Sequence, residues 1–183
     1  MTTKPSVGYA IAAALPLLFG MPVAAGDDHN KEKHEADLSG YQEVPTLSSA
    51  GTASFRARIA DDEQSFDWVL TYSGLTNVLQ SHIHFAARAI NGGIVIFLCT
   101  NLGNAPPGTT SGTQPCPSSE GTVSGTATAA DVGPGAAAQG IAAGEFAKVL
   151  RAIRVGAAYA NIHTQQRQGG EVRGQIHSHE HSD

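Results

Sequence analysis

The sequence predicts an all-β, mainly antiparallel fold: a Greek-key β-sandwich or partly open barrel carrying one short amphipathic helix at about 144–155. Three observations predict it. Runs such as "ASFRARIA" and "SFDWVLTYS" alternate apolar and polar residues with period two, the pattern of strands with one face in a core. Short polar or glycine-rich stretches separate these runs and read as turns. A single segment, "EFAKVLRAIRVG", carries helical spacing instead.

The first 25 residues read as a signal peptide. Lys4 precedes the apolar run "GYAIAAALPLLF", and the small residues Val23 and Ala25 stand where a cleavage site needs them. This predicts an exported protein, secreted or periplasmic, with no membrane span once the leader is cut, since no later apolar run is long enough. Residues 26–37, "GDDHNKEKHEAD", are rich in charge and read as a disordered polar leader. Residues 38–177 form the expected folded unit, and 178–183 a His-rich tail. The 183-residue chain carries a net charge of −5. That argues against nucleic acid as a partner, because such binding relies on clustered Lys and Arg.

Within the folded unit, Phe55, Ala57 and Ile59 alternate with Arg56 and Arg58, and Phe66, Trp68, Leu70 and Tyr72 form the apolar face of the next run. The polar stretch Asp61–Gln64 between them predicts an antiparallel hairpin. "VLQSHIHFA" follows as a strand, then "GGIVIFLC", whose unbroken apolar run predicts burial on both faces. "EGTVSGTATA" is a Thr-rich strand. In the helical segment Phe146, Val149, Leu150 and Ile153 recur on one face, and Gly156 stands where the helix should stop. "AAYANIHT" and "GEVRGQIHS" alternate again around the turn "QQRQGG".

Cys99 and Cys116 lack a C-x-x-C arrangement, so in an exported chain they are expected to form a disulfide. The chain also lacks a G-x-S-x-G turn, an H-E-x-x-H helix and a phosphate-cradling glycine loop, which leaves a hydrolase or nucleotide-binding reading without support.

The candidate chemistry lies in histidines. His82 and His84 are two apart in a predicted strand and share a face. Tyr159, Asn161 and His163 share a face of a later strand, as do Glu171, Arg173 and Gln175. If these strands are neighbours, His82, His84 and His163 converge as a three-imidazole set, suited to copper or zinc, with Glu171 available to orient a ring. The competing reading is architectural: the three imidazoles hydrogen-bond to Asn161, Glu171 and Arg173, with Thr164 beside them, and fix the sheet register.

Three motifs, "LSGYQEVP", "SHIH" before a glycine-containing turn and apolar strand, and "YANIHTQQRQGGEVRGQI", occur in order along the folded unit. Together they resemble the CHRD domain, the family named after chordin. The closing motif is the more specific, carried by Asn161, His163, Thr164, Gly169, Gly170, Glu171, Arg173 and Gly174. The resemblance implies a β-rich extracellular domain. In the animal protein the domain recurs within an antagonist of secreted growth factors, whereas bacterial relatives are typically single and exported. One copy stands here, without a cysteine-rich companion module.

The functional expectation is therefore an exported, non-enzymatic binding or interaction domain centred on His82, His84 and His163, with a metal ion or an extracytoplasmic protein as partner. The alternatives are a metalloenzyme of redox or oxygen-handling type at the same histidines, and a purely structural envelope or matrix protein.

Overall fold

The computed structural model describes residues 1–2 and 32–179. Beyond Met1 and Thr2, the expected signal peptide lies outside the described residues, as do 26–31 and 180–183. Among the described residues no helix is long and apolar enough to cross a membrane.

Among the described residues nine strands form one sheet: β1 (Lys33–Ser39), β2 (Thr52–Ile59), β3 (Ser65–Ser73), β4 (Val78–Phe85), β5 (Gly93–Thr100), β6 (Gly121–Thr128), β7 (Ala158–Thr164), β8 (Val172–Gln175) and β9 (His177–Ser178). The order across the sheet is β5-β4-β7-β8-β1-β2-β3-β6, with β9 on β1, and every pairing is antiparallel. The sheet curls into a nearly closed barrel. β6 lies beside β3 although β4 and β5 intervene in the chain, a Greek-key connection. The alternating runs behave as their periodicity requires. Phe55, Phe66, Trp68 and Leu70 point into one core with Ile83, Ile96, Leu98, Ile162 and Ile176, while Arg56, Arg58, Asp67 and Val69 face outward.

The two edges, β5 and β6, share no ladder; the Cys99–Cys116 loop spans the gap. The disulfide is formed, with Cα atoms 5.2 Å apart. Within its loop the Gln114 amide donates to Leu98 O on β5 and to Ser124 O on β6, so one side chain bridges both edges. Ser111 accepts from the buried Trp68 indole at 2.9 Å. Asp131 anchors the loop further: one carboxylate oxygen accepts from the Thr110 and Ser111 amides, the other from the Thr128 amide. These bonds satisfy backbone groups that an open sheet edge would expose.

The helix α1 spans Phe146–Arg154, with Phe146, Val149, Leu150, Ala152 and Ile153 buried and Lys148, Arg151 and Arg154 exposed. Gly156 adopts φ +68°, and the amides of Gly156 and Ala157 close back onto Ile153 O and Ala152 O, a glycine-terminated helix end. Arg154 ties the helix to Glu32 and Glu63 at 2.8 and 2.7 Å.

One boundary differs from expectation. The disordered leader over 26–37 does not hold for 33–37, which lie in β1, paired residue by residue with β2 from Lys33↔Arg58 to Asp37↔Ser54. The inward residues of this stretch are His34 and Ala36, both fully buried. They keep period two with little hydrophobicity, so a charge-rich composition masks a strand. At the other end β9 carries the ordered chain through Ser178, which the expected tail had included.

A candidate metal centre on three strands

The central strands β4, β7 and β8 carry the site in cross-strand rows. His82 faces Asn161 and His84 faces Tyr159 across β4–β7, while Asn161 faces Arg173 and Tyr159 faces Gln175 across β7–β8. Residues directly opposite share a face, so the two predicted faces become one surface. Ile83, Ala160 and Ile162, which alternate with these residues, belong to the barrel core, so the histidine face is the opposite one. The β4–β5 ladder shifts register at Ser81/His82 and again at Ile83/His84, and such bulges re-aim side chains.

The three histidines do converge. One ring nitrogen from each of His82, His84 and His163 lies within 4.8 Å of the others, and the group contains no carboxylate. His82 is fully buried and the other two are 7% exposed. His84 Nδ1 lies 2.9 Å from Gly92 O, and His163 Nδ1 2.8 Å from Gln168 O. A carbonyl only accepts, so both Nδ1 atoms carry hydrogen, and in the neutral ring both Nε2 atoms keep a lone pair. His163 Nε2 lies 3.2 Å from His82 Nδ1 and 3.1 Å from Asn161 Oδ1. The Nε2 atoms of His82 and His84 are buried without a hydrogen-bond partner.

Burial, reinforced by the neighbouring imidazoles, holds the pKa of His82 down at about 2. Burial likewise lowers His84 to about 4 against the opposing pull of the Gly92 carbonyl, and it lowers His163 against that of Gln168. All three rings are therefore neutral at neutral pH, the form that ligates metals.

A stack supports the cluster from one side. The Tyr159 ring lies parallel to His84 at 4.7 Å between centroids, and the Arg173 guanidinium sits 3.4 Å from the Tyr159 centroid. Arg173, 1% exposed, also donates to Ile90 O at 2.7 Å and Asn91 Oδ1 at 3.2 Å. Gln175 donates to Ala86 O, and Tyr159 Oη accepts from the Gly92 amide. Together they hold the 86–92 segment over the histidine face, which presents Gly92 O to His84. Gly92 must be glycine here, because a Cβ would fall 1.9 Å from Phe85 O. Burial raises the pKa of Glu43 near this stack, outweighing its hydrogen bond to the Val44 amide and the attraction of Arg173.

The remaining expected partners do other work. Glu171 orients no imidazole: its oxygens accept from Ser49 Oγ at 2.7 Å and Thr164 Oγ1 at 2.5 Å, tying the 165–170 turn to the loop before β2. Thr164 is fully buried in that tie. Asn161 does contact the cluster. Arg173 reaches it through Tyr159 and through the 86–92 segment. Sequence reasoning passed over Gly92 and Gln168, whose backbone carbonyls orient the rings and leave no side-chain signature.

The CHRD domain family model matches residues 34–176 of the chain. No curated protein matches it.

Proposed function

The chain belongs to the CHRD-domain family, and from this premise we propose that it is an exported, non-enzymatic binding module that holds a zinc or copper ion through His82, His84 and His163. The observation that carries the reading is the set of three buried, neutral imidazoles with nitrogens within 4.8 Å of one another, two of whose Nε2 atoms lack a hydrogen-bond partner. Burying an unsatisfied ring nitrogen costs roughly 1–3 kcal/mol, and a metal ion would offset that cost at several nitrogens together. The carbonyls of Gly92 and Gln168 supply the outer hydrogen bonds that ligating histidines require. The bound ion would contribute Lewis acidity and two positive charges that three neutral ligands leave uncompensated. The Cys99–Cys116 disulfide suits an oxidising compartment and supports the exported part of the reading.

Calorimetric titration of the untagged, metal-free protein with Zn²⁺ and Cu²⁺ tests the proposal. It predicts one site of micromolar or tighter affinity that disappears in His82→Ala/His84→Ala. The single variant His84→Gln, checked for folding by circular dichroism, provides a milder lesion. Weak binding of equal strength in all three proteins would assign the cluster an architectural role and refute the metal reading.

A further inference from the structure

We propose that the pocket beside the 86–92 segment binds a small carboxylate, gripped by Arg88 and drawn in by the buried charge of Arg173. No histidine lines this pocket, so the inference stands apart from the metal reading.

Three segments build the pocket, which encloses about 220 Å³. Tyr41 and Glu43 line it from the stretch after β1, Arg88 and Ala89 from the 86–92 segment, and Arg173 and Gln175 from β8. The first two segments are tied together, since the Asn91 amide donates to Val44 O at 3.3 Å. The turn that carries Arg88 is closed by the Ile90 amide on Ala87 O and held from beneath by Arg173, which donates to Ala87 O and Ile90 O. Within it Ala89 adopts φ +60°, a left-handed conformation uncommon in a residue with a Cβ and kept where the surroundings impose it. Arg88 is thus presented from a preformed turn, which lowers the ordering cost of binding.

The charges choose the ligand. Arg88 is exposed and makes no hydrogen bond or ion pair among the described residues. It lies close enough to Arg173 for its charge to depress the Arg173 pKa, and Arg173 has no ion-pair partner among the described residues either. Two guanidinium groups at one pocket repel, and an anion bound there relieves the repulsion. Glu43 is the single acidic residue of the lining. With Glu43 ionised, two arginines against one carboxylate leave a net charge of one, which a monoanion balances. Burial raises the Glu43 pKa, which weakens its opposition further. The planar fork of Arg88 matches the two oxygens of a carboxylate. The Tyr41 ring, 68% exposed at the rim, offers an apolar face to the body of the ligand.

Benzoate is the probe, followed by amide NMR on the untagged, metal-free protein. It is expected to bind saturably with a Kd of about 1 mM or tighter and to shift the amides of residues 41–46 and 87–91. Benzamide, its neutral isostere, and inorganic phosphate are each expected to bind about tenfold or more weakly. Arg88→Ala removes an exposed side chain that bonds to nothing in the fold, and it is expected to weaken benzoate by about tenfold or more, with Arg88→Lys weakened less. Arg151→Ala, at an exposed arginine of α1 outside the pocket, is expected to bind as the wild type does. Benzoate binding that is absent, shifts other residues or survives Arg88→Ala unchanged would overturn the inference. Benzamide binding as tightly would leave an apolar pocket without a charge requirement, and tighter phosphate binding would replace the carboxylate; either result refutes the proposal. None of these outcomes bears on the histidine site, whose own titration stands separately.

Discussion

Arg173 shows how much one residue can organise. It is buried with its charge, yet its stability comes from four contacts: the Tyr159 ring, Ile90 O, Asn91 Oδ1 and, at 3.5 Å, Ala87 O. A lysine in its place would keep the charge but lose the planar fork and the stacking surface. Arg173→Lys is expected to lower stability by about 1–3 kcal/mol and to open the 86–92 segment to proteolysis. Thermal melts with limited digestion check this, and an unchanged melting temperature with an uncut segment would contradict it. The sequence made the alternation of Tyr159, Asn161 and His163 legible, and with it the shared face. The partner of Glu171 was not legible, because Ser49 lies 122 residues away and no local pattern encodes that meeting.

Among the elements, the β2–β3 hairpin and α1 were readable because each buries large apolar residues at its own period. β1 was not, because its inward positions hold a histidine and an alanine, so its identity as a strand depends on β2, β8 and β9 lying beside it. The end of β6 offers a sharper test of local electrostatics. Burial pushes the Asp131 pKa up, but hydrogen bonds from Ser111, Thr110 and Thr128 outweigh it and hold the carboxyl below the usual range. A folded pKa below the unfolded value of about 4 means the stabilisation is fully present above that value and is lost as the pH falls from there through the lower folded pKa. Asp131→Asn is expected to destabilise by about 2 kcal/mol at pH 7, with the gap to wild type narrowing between pH 5 and pH 2. Melting temperatures across that range decide the matter: a gap that stays constant with pH would show that ionisation of Asp131 contributes nothing.

At the scale of the whole molecule, the barrel is closed on one side by a loop instead of a ladder. Cys99 and Cys116 were recognisable as a pair in the sequence, but their position across the β5–β6 gap emerges only when the sheet order is known. Replacing both by serine is expected to cost about 3 kcal/mol and to speed amide exchange along β5 and β6 more than along β1 and β2. Uniform exchange would place the weak point elsewhere. β4, β7 and β8 are consecutive in the sheet order, and the histidine face depends on the register of their ladders. The most direct test of that face is elemental analysis of the untagged protein after zinc loading and dialysis against a weak chelator. One zinc per chain in the wild type and none in folded His82→Ala/His84→Ala is the predicted result; a metal content that is negligible in both, or equal in both, would contradict it.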